Sequence, residues 1–519
     1  MAKVDIYANW DPAVVKRFKS WQMRTILVSM IGYAIYYFVR KNFSLAMPGL
    51  TAQYGISNTS FGIVIGIGSL IYGASRFANG FIVDRFSART VMAIGLLLCA
   101  LSNFAFGFGV NISSWITGVE QGPDLINMLV LVMAITIVLN QAFQGVGYPP
   151  CARLLPSWIH PSELATKMSI WNTSHSIGAA AAVVACGYIM GSLGTDLSNN
   201  PEIIDTVAKN LGVDKNSADG MKQILQYAQH WDAWRWCFWI PAAIAVCGSL
   251  WLYFGLRDDP RSVGLPELPD TNTGKTADAK ENKGSRSRFL RAMVWTNRWI
   301  WTLCIANVFV YVMRMGILDW GPKFLTESRG MSIEDAAWSV AVFEIFAIVG
   351  TIFAGWATDH IFKGKSHRMC LLCMALASLF MAIFIFFPGM PSVVSLIVLA
   401  FAGFFIYGPQ ALIGIGSANQ ATKEAAATAN GLAGIFGYVG SFLSAIGVGI
   451  IADHYGWNVV FYLIIGVGVL GAITFLTMWM APRDGYARAQ EFYAGEALNV
   501  LEAEKNIADN SGNPADTDV

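Results

Sequence analysis

Two arginines stand inside stretches of the chain that are otherwise apolar. Arg40 follows Gly32-Tyr-Ala-Ile-Tyr-Tyr-Phe-Val and precedes Lys41 and Asn42, while Arg314 sits in Asn307-Val-Phe-Val-Tyr311-Val-Met-Arg314-Met-Gly-Ile-Leu-Asp319. An arginine at mid-membrane depth costs at least ~2.5 kcal/mol, so each needs a partner or a wet cavity. Its guanidinium offers forked donors that match phosphate or carboxylate oxygens two at a time, and it stays charged at any physiological pH. Lys41 and Arg76 add further cations in the first two apolar stretches, against few embedded acids, Glu344 and Asp319. A positive surplus of this kind calls for an anion that arrives as solute. The structural alternative pairs Arg40 and Arg314 with Asp319, Glu344 or backbone carbonyls, and lets Lys41 snorkel or pair locally. The matched placement of the two arginines favours anion binding.

Other side chains could share that space. His175 lies in Trp171-Asn-Thr-Ser-His175-Ser-Ile-Gly178. It is either an interhelical hydrogen bonder or, as a titrator near neutrality, a donor to a phosphate whose second pKa is ~6. Asn307 and the tyrosines Tyr33, Tyr37, Tyr311, Tyr407 and Tyr438 are candidate contacts along the same path, with aromatic packing as the alternative. Two loop segments ask for a different role. Gly80-Phe-Ile-Val-Asp84-Arg85-Phe-Ser-Ala-Arg89 and Gly355-Trp-Ala-Thr-Asp359-His-Ile-Phe-Lys363-Gly-Lys365 place an aspartate beside basic residues. An aspartate there can pair across helices and hold one conformation, so Asp84, Arg85, Arg89 and Asp359 are assigned to gating.

The elements that must carry these residues are membrane helices. Hydrophobic residues make up 55% of the 519 and charged residues 13%, about half the charged share of a soluble domain. Apolar blocks of about 20 residues recur, each long enough to cross a ~30 Å hydrocarbon core, where only helices or closed barrels satisfy the backbone. The expected spans are 25–47, 59–82, 90–110, 127–148, 168–191, 236–256, 299–320, 335–358, 369–388, 392–414, 428–452 and 457–480. The fold class is therefore an all-α membrane protein of twelve transmembrane helices in two pseudo-symmetric six-helix bundles. Residues 1–24 form an N-terminal segment, 25–256 the first bundle, 257–298 a polar linker, 299–480 the second bundle and 481–519 a tail. Arg40 precedes Asp84 by nearly the distance at which Arg314 precedes Asp359, which marks an internal repeat. Lys and Arg concentrate on the side of the termini, which places both termini in the cytoplasm. A polar insert at 195–230 faces the opposite side and suits a short amphipathic helix.

Several classes are disfavoured. The triplets Gly274-Lys-Thr and Gly364-Lys-Ser lack the glycine that a phosphate-binding loop needs five residues earlier, where Pro269 and Asp359 stand. Cys370 and Cys373 form the start of an apolar helix with no second pair or histidine cluster, so no metal site is expected, and no cofactor. The chain is not expected to be an enzyme. A net charge of +1 suggests no nucleic-acid partner. The first residues lack the apolar core of a cleavable signal peptide. A proton-coupled exporter of cations would want more membrane carboxylates, whereas a membrane sensor that binds the same anion without moving it stays open.

The segment Gly32–Pro48, with Tyr-Tyr-Phe-Val-Arg-Lys-Asn-Phe-Ser-Leu-Ala-Met-Pro, resembles the first helix of the organophosphate:phosphate antiporters of the major facilitator superfamily. Phe143–Arg153, Trp171–His175, Arg257–Pro266, Asn307–Trp320 and Phe405–Gly414 extend the resemblance through both halves in order. It implies a secondary transporter that exchanges inorganic phosphate for a small organophosphate by alternating access. The family's phosphate-binding arginines fall on Arg40 and Arg314 and its binding-site histidine on His175. A basic residue, commonly lysine, stands in the family where this chain has Arg76. The motifs look most like those of glycerol-3-phosphate transporters, with hexose-6-phosphate and phosphoglycerate antiporters and a sugar-phosphate sensor as alternatives. The same resemblance implies a monomer in a bacterial inner membrane. The 195–230 insert and the long tail depart from the family's usual short forms.

Overall fold

The computed structural model describes residues 10–268 and 283–495. Helices run in the order α1 (Pro12–Phe38), α2 (Asn42–Tyr54), α3 (Asn58–Arg85), α4 (Ala88–Gly107), α5 (Gly109–Thr117), α6 (Pro123–Gln144), α7 (Tyr148–Trp158), α8 (Pro161–Asn172) and α9 (Ser174–Ser192). Then come α10 (Pro201–Leu211), α11 (Ala218–Ala228), α12 (Ala233–Gly255), α13 (Lys283–Leu290), α14 (Arg298–Arg329), α15 (Ile333–His360), α16 (Ser366–Phe386), α17 (Ser392–Tyr455) and α18 (Trp457–Thr477). Among the described residues, ten stretches are long and apolar enough to cross a membrane by themselves. α17 supplies two of them, because Thr422 breaks it with φ 63° and ψ 174°. With the charge-bearing α1–α2 pair and α3, the count reaches twelve transmembrane helices in two pseudo-symmetric bundles of six.

Three spans of the first half are broken at one depth, and the breaks position the polar centre. α1 stops at Phe38, and the backbone N–H groups of Arg40 and Lys41 both donate to Tyr37 O at 3.1 Å before α2 begins. A broken helix frees carbonyls that lipid cannot satisfy, so neighbouring side chains must. Here Asn140 and Asn103 donate to Val39 O at 3.0 and 3.2 Å, and Gln144 donates to Tyr36 O at 2.8 Å. α6 gives way to α7 at Gly145–Gly147, where Gly145 lies against the backbone of Arg76. α8 gives way to α9 at Thr173, immediately before His175. The seventh span, α14, runs unbroken through Arg314.

Several boundaries differ from the expected ones. The first helix starts at Pro12, because Asp11 caps it with a side-chain bond to the Ala13 N–H at 2.7 Å and Pro12 supplies the fixed φ of a first turn. The insert at 195–230 holds two helices, α10 and α11, rather than one. The linker carries a turn at Pro260–Val263 and α13, and residues 269–282 lie outside the described residues. Residues 486–495 of the tail are helical. Tyr493 there donates to Glu424 at 2.6 Å and Phe492 meets Phe289 of α13 edge-on, so tail and linker pack together beneath the second bundle.

The two bundles meet unevenly. Arg76 donates to Tyr438, Ser441 to Ser69 at 3.0 Å, Lys41 to Asp319 and Lys323 to Thr51 at 2.5 Å. Farthest from the termini, Asp453 accepts from the backbone N–H groups of Asn58 and Thr59 at 3.0 and 2.7 Å. These cross-half bonds between described residues all lie from the polar centre to the end opposite the termini, which is therefore sealed. Between the halves, backbone comes close where α3 passes α17, because Gly62 faces the Ala445 carbonyl and Gly449 faces the Asn58 carbonyl. α10 and α11 roof the sealed end. Asn210 donates to Ala52 O at 3.0 Å in the first half, and Tyr227 lines one vestibule with Thr326 and Glu327 of the second. Beneath the roof a vestibule of about 500 Å³ is lined by Asn58, Asn210, Gln223, Glu327, Asp453 and Trp457.

Candidate functional site

Arg40 enters the centre from the break between α1 and α2. Its guanidinium lies over the Tyr72 ring, 3.9 Å from the centroid, with the Tyr37 ring at 5.5 Å. A desolvated cation over a ring face gains about 2 kcal/mol, so two tyrosines stand where a carboxylate would otherwise be needed. Arg76, one turn beyond Tyr72 on α3, is held the same way. It covers the Tyr148 ring at 4.4 Å and donates to the Tyr438 hydroxyl at 3.1 Å.

Arg314 faces them from α14. It lies 4.4 Å from the Tyr407 ring centroid and donates to that hydroxyl at 2.9 Å; the hydroxyl in turn donates to Glu344 Oε1. Arg314 Nε and Glu344 Oε2 are both buried without a protein partner, so the arginine keeps a donor in reserve. Lys41 is tied to Asp319 at 2.6 Å, a pair that spans the two halves. The lysine thus pairs with a residue distant in sequence and not locally. Asp319 is thereby committed to the lysine and not to either arginine.

The remaining candidates surround the same space. His175 Nδ1 bonds the Asn172 carbonyl, which can only accept, so that nitrogen carries the proton and Nε2 faces Ser176 Oγ at 3.2 Å. The ring lies 5.5 Å from that of Tyr37. Arg40 and Arg314 are both near enough to act electrostatically on Tyr37 and on His175, which places the arginines of the two halves around one centre. Tyr33 stacks on Trp171 at 4.8 Å and meets Tyr37 at 5.5 Å. Tyr311 sits 6.3 Å from Tyr438. Asn307 donates to Ala433 O at 2.7 Å and leaves its own buried oxygen unpartnered.

The gating candidates lie elsewhere, at the end that carries the termini. Asp84 falls in the last turn of α3, but its side chain lies outside the described residues. Arg85 and Asp359 are exposed. Arg89 stacks over Tyr253 at 4.9 Å, and its backbone N–H donates to Asp258 at 2.8 Å.

Sequence reasoning missed three contributors. Tyr72 carries Arg40, and its spacing of four residues from Arg76 on one helix face was the available signal. Tyr148 carries Arg76. Lys323 is fully buried, because α14 runs to Arg329 instead of ending near residue 320; it bonds Thr51 and lies 3.5 Å from Glu327. Among the described residues, then, Lys41 has Asp319, Lys323 has Glu327 and Arg314 reaches Glu344 through Tyr407. Arg40 and Arg76 have tyrosines instead, and their charge is uncompensated.

Residues 29–445 match the Major Facilitator Superfamily. The glycerol-3-phosphate transporter of Bacillus subtilis is 35% identical over 481 residues, covering 90% of this chain and 94% of that protein. The probable hexose phosphate transport protein of Chlamydia pneumoniae is 32% identical, covering 90% and 93%. The membrane sensor protein UhpC of Escherichia coli is 29% identical, covering 90% and 95%. In shape, the chain is similar to a bacterial homolog of the human lysosomal transporter Spinster in its inward-facing, unoccupied conformation. That similarity has a TM-score of 0.64 at 15% identity over 92% of this chain and 98% of the other.

Proposed function

This chain belongs to the Major Facilitator Superfamily, and from that premise we propose that it carries a small organophosphate across a membrane in exchange for inorganic phosphate. The observation that supports this most is the pair Arg40 and Arg76, half-buried on tyrosine rings with no carboxylate partner among the described residues, with Arg314 Nε unspent across the centre. A phosphoryl group brings the two negative charges and the acceptor oxygens that such a centre lacks. Relatives named for glycerol-3-phosphate, hexose phosphate and phosphoglycerate support the substrate class, and glycerol-3-phosphate is the leading candidate.

The mechanism follows from the charges. With the centre empty, Arg40 and Arg314 repel each other across the two halves and oppose their closure. A bound phosphoryl group held by both, with His175 Nε2 as a further donor when protonated, offsets that repulsion and lowers the barrier to rocking the halves. Phosphate leaving down its gradient then drives the ester the other way. A solute can bias the two conformations only by such a difference in interaction. We place both termini in the cytoplasm of a bacterium, its inner membrane holding the bundle, so the sealed end faces outward and the centre opens inward.

The likeness to a membrane sensor supports a second reading, in which the same anion is bound but not moved. Reconstituted vesicles separate the two. Vesicles loaded with phosphate should accumulate labelled glycerol-3-phosphate, and empty vesicles should not. Binding without accumulation would favour the sensor, and equal uptake into empty vesicles would overturn exchange. A panel of hexose-6-phosphate and phosphoglycerates in the same vesicles ranks the esters.

A further inference from the structure

At the end that carries the termini, two arginines sit side by side on the outer face of the first bundle. Arg24 of α1 donates through Nε to Gly255 O at 3.0 Å and through Nη2 to Phe254 O at 3.2 Å. Arg257, just past α12, donates to the same Phe254 O at 3.1 Å and to Leu256 O at 2.6 Å. Both guanidiniums also lie against one indole, that of Trp21, at 4.5 and 5.8 Å from the ring centroid. We propose that this pair holds the phosphate of one anionic phospholipid whose acyl chains run along α1 and α12.

Charge, rigidity and placement carry it. One shared acceptor and one shared ring force the two cations together. The acids nearest in sequence are engaged elsewhere: Asp258 accepts from the Arg89 N–H and Asp259 from the Ser262 N–H, each at 2.8 Å. The carbonyls that end a helix carry about half a negative charge, so more than one positive charge is left unbalanced. Arg24 Nη1 and Arg257 Nε and Nη2 make no hydrogen bond among the described residues, and a guanidinium edge of this kind matches phosphate oxygens. The pair is held in place, because Trp21 stacks on Trp158, whose indole N–H donates to Arg257 O at 3.0 Å. Arg24, Leu27 and Ile31 recur at three- and four-residue spacing on an exposed face of α1, and Trp251 and Phe254 are exposed on α12. The two helices pack directly, Val28 against Gly255 and Leu252 against Gly32, so these apolar stripes run next to each other. In a spanning bundle they face hydrocarbon, and the arginines stand where both spans reach its edge, at the depth of the lipid phosphates. A free phosphate would meet the same guanidiniums but gain nothing from the stripes, whereas a phospholipid uses both.

The test titrates the full chain in detergent with phosphatidylglycerol or phosphatidylcholine and counts retained lipids by native mass spectrometry. Wild-type protein should keep one phosphatidylglycerol about thirtyfold more tightly than phosphatidylcholine, the preference expected of two basic groups at an anionic lipid. Arg24→Gln combined with Arg257→Gln should abolish that preference. Arg298→Gln, which removes an arginine stacked on Trp299 at the same end of the second bundle, should leave it unchanged. Equal retention of the two lipids by wild-type protein would overturn the proposal. So would an equal loss in Arg298→Gln, which would mean diffuse surface charge and no site. Displacement of the phosphatidylglycerol by an equal concentration of inorganic phosphate would make this a site for soluble anions and overturn it as well. Should the double variant fail to fold, Arg24→Gln alone decides: it should lower the preference about fivefold, and an unchanged preference would remove the lipid from this pair.

Discussion

Arg40 and Arg314 meet one problem, a charge at mid-depth, with different neighbours. Arg40 rests on two tyrosine faces, and Arg314 shares a tyrosine hydroxyl with Glu344. Neither guanidinium is paired directly with a carboxylate among the described residues, Arg314 keeps Nε unpartnered, and lysine cannot reproduce the planar fork. Arg40→Lys and Arg314→Lys should each lower the exchange rate by about 10–150-fold, the equivalent of 1.5–3 kcal/mol for hydrogen bonds to a charged group, while the protein still reaches the membrane. Quantitative uptake normalised to membrane-inserted protein checks it, and a wild-type rate in either variant would release that arginine from the clamp. The arginines were legible in the sequence because a charge in an apolar run has few meanings. Their tyrosine supports were less so, since Tyr72 and Tyr148 read equally well as packing. Lys323 escaped because hydropathy falls before α14 ends, and a buried lysine at a helix end looks like an interfacial one.

At the scale of elements, the helix breaks do most to shape the centre. The break at Gly145–Gly147 is announced by its glycines and the prolines that follow. The break at Val39–Lys41 carries neither glycine nor proline. It is written instead in Asn103, Asn140 and Gln144, distant amides that pair with the freed carbonyls only once the fold is formed. The seam between α3 and α17 depends on a different local choice. A Cβ on Gly62 would come within 2.5 Å of the Ala445 carbonyl oxygen, and backbone cannot swing aside as a side chain can. Gly62→Ala should therefore cost the sealed arrangement about 1–3 kcal/mol, the range for overpacking, and shift the population toward opening at that end by about 5–150-fold. A single Ser441→Cys, buried behind the seam, reports the shift through its rate of labelling by a membrane-impermeant reagent added on the sealed side. An unchanged rate would mean that the seam does not set the balance.

At the scale of the whole molecule, cross-half bonds between described residues gather at one end, while the gating candidates lie at the other. Asp84 and Asp359 should therefore govern turnover and not occupancy. Asp84→Asn and Asp359→Asn are expected to bind phosphate in detergent within about tenfold of wild type and to exchange it more slowly, because a carboxylate that steadies closure through a nearby cation or helix N-terminus is lost. Loss of binding in both well-folded variants would move these aspartates into the site. The roof made by α10 and α11 has a consequence for reagents that never enter the membrane. Its outer surface joins helices of the first half to the ends of α14 and α17 in the second, and that joint surface exists as one patch only while the end is sealed. An antibody fragment raised against it would recognise a conformation and not merely a sequence. By gripping both halves it would arrest the cycle without touching the anion, and its affinity difference between the two conformations would equal the work it does against opening.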